Sequence, residues 1–139
     1  MDTRLTRNER LRGKSAIDRL FSRGRSFAVF PLRAVYSVVS VPDAPEISLL
    51  VSVSKKRFKR AVKRNKVKRL IKETFRLKKS IAAETLKESG KQVHLAILYL
   101  DKEIHPYHTF DSRMEELLKR LASEICKTNN SKEKQPQDT

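Results

Sequence analysis

The chain has 139 residues, room for one domain with one modest core. Its 32 Lys and Arg against 16 Asp and Glu leave a formal charge of +16 and a pI near 10.3. That balance points to a polyanionic partner, nucleic acid or an anionic membrane surface, and away from a small-molecule enzyme. No apolar run approaches the ~18 residues that read as a transmembrane helix, so a membrane partner is not expected. The opening MDTRLTRNERLRGK lacks the apolar stretch of a secretory signal, and the single Cys126 has no internal disulfide partner. The expected setting is therefore the reducing cytoplasm.

Residues 1–13 are polar and basic, with Leu5 and Leu11 as apolar anchors. Ser15 is placed as an N-cap, Ala16, Ile17, Leu20 and Phe21 follow at helical spacing, and Gly24 is a natural stop, so a first helix of about ten residues is expected. From Phe27 to Val41 the composition turns β-branched and aromatic. Pro31 argues against a strand interior, which places the strand at Leu32 to Val41. PDAPE, residues 42–46, is a turn, and ISLLVSVS, residues 47–54, is expected as the antiparallel partner, with one wetter face and one buried face.

Lys55 to Lys79, KKRFKRAVKRNKVKRLIKETFRLKK, holds 14 of the 32 basic residues and one acid, Glu73. Read as a helix from about Ala61, it places Val67, Leu70, Ile71, Thr74, Leu77 and Ile81 on one arc, with Phe75 at the edge. Arg64, Asn65, Lys68, Arg69, Lys72 and Arg76 fall on the other. Solvated helix faces ordinarily mix signs, because like charges four apart repel by a few tenths of a kcal/mol. Arg64, Lys68 and Lys72 form such a like-charged series, which suits a face matched to phosphates. The helix ends between Lys79 and Glu88, and Gly90 closes the segment. KQVHLAILYL, residues 91–100, is then a third strand, apolar enough to be central. Strand, long helix and strand make a βαβ unit with parallel strands. Residues 101–108 read as a loop. Ser112 to Glu115 reads as a capping box before a final helix carrying Phe110, Met114, Leu117, Leu118, Leu121, Ala122 and Ile125 on one stripe. The expected organisation is one RNA-binding domain over 1–127 and a disordered polar tail over 128–139. The fold class is α/β, an α+β sandwich with a small mixed sheet in the order α-β-β-α-β-α.

No catalytic constellation stands out. His94, His105 and His108 lack a carboxylate or cysteine cluster to complete a metal site, and Asp101 with Glu103 is a solvated loop pair. Neither a G-x-x-x-x-G-K-[ST] nor a G-x-G-x-x-G pattern occurs. With no Trp and nine aromatics in all, most rings must serve the core, and Phe21, Phe27, Phe30, Tyr36 and Tyr99 are candidates for stacking on bases.

The stretch SVSKKRFKRAVKRNKVKRLIKETFRL resembles the signature of the protein component of bacterial ribonuclease P. In that family a basic helix carries Arg-Asn-Arg, an apolar residue, Lys-Arg and a further basic residue. Arg64, Asn65, Val67, Lys68 and Arg69 match. Lys66 and Lys72 stand where arginines are common, keeping charge but losing the bidentate fork. The layout before and after the motif keeps family order over roughly residues 8 to 126. The resemblance implies an unusual left-handed βαβ crossover, where chain geometry alone favours the right hand in about 98% of cases. It implies a catalytic RNA subunit as partner, contacted through Lys55, Lys56, Arg60, Arg64, Asn65, Lys66, Lys68, Arg69 and Lys72. It also implies a cleft for the 5′ leader of precursor tRNA, with Ile17, Phe21 and Tyr36 as candidate lining residues. Phe21 matches a family cleft aromatic, while Ile17 stands where another aromatic is common. By the same resemblance the chain is the non-catalytic subunit of an endoribonuclease, and Mg²⁺ is held mainly by the RNA, none by the protein alone. The alternative is a ribosomal or RNA-chaperone-type basic protein without an enzymatic complex. A DNA-binding helix is disfavoured because residues 47–54 read as strand where a helix-turn-helix needs a helix.

Overall fold

The computed structural model describes residues 14–39 and 45–131. Its elements are α1 (Lys14–Arg23), β1 (Arg25–Val29), β2 (Leu32–Val39), β3 (Ile47–Ser52), α2 (Ala61–Lys78), α3 (Ser80–Ser89), β4 (Gln92–Tyr99) and α4 (Tyr107–Ser131). The mixed α+β class is as expected, with one strand more and the long helix divided in two.

The strands are ordered β1-β2-β4-β3. β4 is central: its near-continuous apolar run pairs antiparallel with β2 and parallel with β3. This corrects the expected antiparallel pairing of 32–41 with 47–54. The hairpin is instead β1–β2, with Val29 opposite Leu32. Pro31, read as a strand breaker, sits in the tight turn between them after a cis Phe30–Pro31 bond, and a strand lies on each side of it.

Local chemistry sets the helix ends. The Gly24 N–H donates to the Leu20 carbonyl at 2.8 Å, and a Cβ on Gly24 would lie 2.3 Å from that oxygen and 2.9 Å from the Tyr36 carbonyl. Glycine ends α1 here because the helix closes directly onto β2. At Gly90 the reason is conformational: φ is 70°, and the Lys91 N–H reaches back to the Leu86 carbonyl in a Schellman closure. α4 begins at Tyr107, five residues before the expected cap at Ser112, because the Pro106 carbonyl accepts from the Thr109 and Phe110 N–H groups. Ser112 to Glu115 therefore lies within the helix. α4 also runs on to Ser131, past the expected start of the tail; residues 132–139 of that tail, the turn residues 42–44 and the anchors Leu5 and Leu11 lie outside the described residues.

The two faces of the sheet differ. One carries Phe27, Val29, Leu32, Ala34, Tyr36, Ile47, Leu49, Val93, Leu95, Ile97 and Tyr99, packed against Val67, Ile71 and Phe75 of α2, Ala82 and Leu86 of α3, and Phe110 to Ile125 of α4. Tyr99 stacks on Phe110 with ring centroids 5.6 Å apart. The buried Thr74 hydroxyl is satisfied by the Leu70 and Ile71 carbonyls. The other face carries a smaller cluster in which Leu20 of α1 sits on Val35 and Ala96, with Ala16, Ile17, Leu50 and Leu98 around it.

Crossover handedness follows from one bond. The Val93 N–H donates to the Glu46 carbonyl at 2.8 Å, so even-numbered β3 residues aim backbone groups at β4 while their side chains point to the α1 face. For L-residues this puts β4 to the left of β3 when the strands point up and the helices face the viewer. The connection through α2 and α3 is left-handed, against the roughly 98% preference.

Candidate nucleic-acid interface

α2 buries Val67, Ile71, Thr74 and Phe75. Leu77 is 49% exposed, so the buried sector is rotated by roughly 40° from the sequence-derived arc, towards Arg64 and Lys68. The cause lies in two residues: Phe75, placed at the edge of the arc by the sequence, is fully buried, and Leu77, placed inside it, faces out near the end of α2. The outward face consequently centres on Asn65, Lys66, Arg69 and Lys72, all exposed, while Arg64 and Lys68 sit at its margin, half-buried.

Arg64 is the largest departure. Its guanidinium Nη1 donates to the Phe58 carbonyl at 3.0 Å and to the Lys59 carbonyl at 2.9 Å, folding back over the preceding loop. That loop is ordered along its length. Ser54 Oγ accepts from the Lys56 N–H, the Ser54 carbonyl accepts from the Arg57 and Phe58 N–H groups, and Phe58 is buried with its ring 5.9 Å from that of Tyr99. Lys55, Lys56 and Arg60 stand exposed on it.

Among the described residues, Lys55, Lys56, Arg60, Lys66, Lys68, Arg69 and Lys72 make no ion pair. Further along α2 the pattern changes. Arg76 pairs with Glu73, and Lys78 reaches Glu115 and Asp111 of α4 at 3.2 and 3.5 Å. The Glu115 hydrogen bond holds the Lys78 ammonium above its usual range, and Lys119 and Lys78 together hold the Glu115 carboxyl below its own.

An open cleft of about 710 Å³ lies on the α1 face. Phe21, 45% exposed, forms one wall. The floor is the row Arg33, Leu98 and Ser52, in register across β2, β4 and β3, with Val35 beside it. Lys56 and Arg57 of the loop and Lys102 after β4 supply the cationic rim. Arg33 is steadied by Ser26 Oγ at 3.2 Å. Of the expected lining residues, Phe21 is in place and Ile17 packs in the cluster under α1. Tyr36 is not there. It is 3% exposed on the opposite face, its ring edge-on to Phe27 and its hydroxyl donating to Glu124, and burial first, then the Glu124 charge, raises its pKa. The neighbouring Val35 occupies the α1 face, as the two-residue period of a strand requires. Arg33, Arg57 and Lys102 were not anticipated. Arg33 shares a face with Val35 by alternation, a signal that becomes useful once the side covered by α1 is known.

The histidines are apart. His94 lies on β4 between Ser37 and Ser48, where burial and then Arg19 lower its pKa. His105 binds Asp101 Oδ2 at 2.6 Å, and that bond, with the Lys102 N–H, depresses the Asp101 carboxyl. Among the described residues no three His, Cys, Asp or Glu side chains gather as metal ligands, and Asp101 is already committed to His105. No helix among the described residues is long and apolar enough to cross a membrane.

A cationic helix, an ordered cationic loop and a basic-rimmed cleft on a mixed four-stranded sheet define a small α+β protein suited to polyanions. The family model described as Ribonuclease P matches residues 5–122. A ribonuclease P protein component from Porphyromonas gingivalis is 40% identical over 121 residues, 87% of this chain and 88% of that one. Its counterpart from Chlorobaculum tepidum is 41% identical over 128 residues, 86% and 83%. The solved RNase P protein of Thermotoga maritima superposes with a TM-score of 0.65 at 24% identity, covering 81% of this chain and 96% of that one. That of Staphylococcus aureus gives 0.63 at 23%, covering 81% and 94%. The chain belongs to the family of ribonuclease P protein components, the protein part of an endoribonuclease complex.

Proposed function

We propose that this chain binds the catalytic RNA of ribonuclease P through α2 and the loop before it, and holds the 5′ leader of precursor tRNA in the cleft beside α1, assisting removal of the leader. The observation that carries this reading is the loop from Val53 to Arg60. Lys56 and Arg57 on it line the cleft, while its last residue, Arg60, opens the cationic face of α2. One surface suits folded RNA, whose phosphates would replace the missing carboxylate partners. The other suits a single strand, with Phe21 for a base to stack on and lysines and arginines for its phosphates.

On this reading the phosphodiester chemistry belongs to the RNA. Mg²⁺ held there would activate the attacking water and stabilise the leaving oxygen. The protein contributes positive charge where RNA and substrate phosphates repel each other, and affinity for a leader that mature tRNA lacks. Reconstitution with the matching RNA and labelled precursor tRNA tests it. RNA-free protein should leave the precursor intact at any Mg²⁺ concentration, and adding protein to the RNA should stimulate cleavage most at low Mg²⁺, where phosphate repulsion is least screened. Cleavage by rigorously RNA-free protein, or an RNA indifferent to the protein, would overturn the proposal.

A further inference from the structure

Arg64 falls within the motif that suggests direct contact with RNA, yet its side chain is turned the other way. Both hydrogen bonds from its Nη1 go to consecutive carbonyls of the chain's own loop, Phe58 at 3.0 Å and Lys59 at 2.9 Å. These carbonyls lie just before α2. The segment next to them is the one that carries Lys56 and Arg57 to the cleft. Arg60, the residue before α2, has extended backbone and no side-chain cap bond, so the entry to the helix lacks the usual Ser, Thr, Asp or Asn anchor. Arg64 supplies a restraint from inside the helix instead. Its own N–H donates to the Arg60 carbonyl at 3.2 Å, so backbone and guanidinium of one residue grip the loop at three successive carbonyls, 58, 59 and 60. On the other side the loop is pinned by Phe58, buried in the main core with its ring 5.9 Å from that of Tyr99.

We propose that Arg64 is a positioning residue, whose guanidinium locks the loop from Ser54 to Arg60 onto the first turn of α2 and so holds the cleft cations Lys56 and Arg57 in a fixed frame relative to the cationic helix face. This rests on the reading that the helix face takes the catalytic RNA and the cleft the leader. The lock makes the two surfaces one rigid unit, so that docking α2 on RNA also sets where the leader's phosphates meet Lys56 and Arg57. Charge alone does not suffice. The two carbonyls are met by a planar group with several donors in fixed geometry, and a lysine ammonium on a flexible stem is a poor substitute.

The test compares Arg64→Lys and Arg64→Gln with Lys72→Gln, which removes a charge from the same helix without touching the loop. Three quantities are read: hydrogen exchange of the Arg57 and Phe58 amides in the free protein, the salt slope of binding to the catalytic RNA, and the precursor-to-mature tRNA affinity ratio of the reconstituted holoenzyme. Arg64→Lys and Arg64→Gln should both speed exchange at these two amides about tenfold. Both should lower the precursor preference about fivefold or more while leaving the salt slope unchanged. Lys72→Gln should flatten the slope by about 0.7–0.9 unit and leave the loop's exchange alone. The proposal is overturned if Arg64→Lys restores wild-type preference while Arg64→Gln flattens the slope, which would make Arg64 a phosphate contact, or if exchange is unchanged in both variants. A wild-type holoenzyme with no precursor preference would instead count against the leader reading, and the exchange measurement on the free protein would still decide whether the lock exists.

Discussion

The two faces of one sheet use their residues to opposite ends. Across β2, β4 and β3 the helix-covered face reads Ala34, Ile97 and Val51, with Leu32, Leu95 and Leu49 close by, sealed under α2, α3 and α4. One residue along each strand, the α1 face reads Arg33, Leu98 and Ser52 in one row, Val35, Ala96 and Leu50 in the next, and Ser37, His94 and Ser48 in the third. Leu20 of the ten-residue α1 seats on the middle row, and the first row remains open as the cleft, with Leu98 partly buried at its edge. The same alternation that builds the core on one side thus leaves polar and cationic groups uncovered on the other. Stability should be concentrated on the sealed side and binding on the open one.

Matched truncations on the two faces test that division. Phe110→Ala removes a fully buried ring stacked on Tyr99 and should cost about 3–5 kcal/mol of unfolding free energy, read by denaturant titration. Phe21→Ala should cost about 1 kcal/mol or less of stability, because nearly half of that ring is already in solvent. Its effect should appear instead as a loss of about 1–3 kcal/mol in precursor tRNA affinity, with mature tRNA unaffected. Equal stability losses at the two positions would abolish the distinction between the faces.

Charge extends the comparison to two helices. α4 carries Arg113 and Lys119 with carboxylate partners Glu116 and Glu115, at 3.3 and 3.0 Å, whereas Arg69 and Lys72 of α2 have none among the described residues. Arg69→Gln with Lys72→Gln should flatten the salt dependence of RNA binding by roughly 1.5 units in log–log terms. Thermal stability should hold or rise slightly as like-charge repulsion is relieved. Arg113→Gln with Lys119→Gln, an equal loss of charge, should leave the slope unchanged, since those cations already face carboxylates. A slope that depended only on net charge would make the two pairs of substitutions indistinguishable.

What the sequence made legible was whatever depends on local pattern. The periodicity of Val67, Ile71 and Thr74 placed α2, and the apolar run before Leu100 placed β4 at the centre. What escaped depends on partners distant in sequence. That β4 inserts between β2 and β3 could not be read from residues 32–54, although the helix between β3 and β4 had already marked those two strands as parallel. Tyr36 against Val35 is a one-residue error in choosing a face, and in a strand one residue reverses everything. Arg64 shows the limit for sites: composition identifies a cation in the motif, but whether it meets a phosphate or two carbonyls of its own loop is a tertiary fact.

The smallest effect is expected at His94, in the row of the α1 face farthest from the cleft. Burial disfavours the charged imidazole, Arg19 disfavours it further, and its pKa in the folded chain lies below the ordinary 6.5. Above pH 6.5 folded and unfolded chains both hold it neutral, and it contributes no pH dependence. As pH falls below 6.5 the unfolded chain takes up the proton first, so stability declines until the folded-state pKa is passed and then levels off with respect to this group. His94→Gln should remove that decline. Asp101 acts at lower pH in the same direction: His105 depresses its pKa, so its contribution is present above the ordinary carboxylate range and is lost as pH falls through the depressed value. The two are separable because Asp101→Asn removes the loss in the carboxylate range, while His94→Gln leaves the Asp101–His105 bond in place. Stability curves of the wild type and both variants measured from pH 7.5 to 3 would decide the matter, and a His94→Gln curve that still declined below pH 6.5 in parallel with the wild type would assign that dependence to another group.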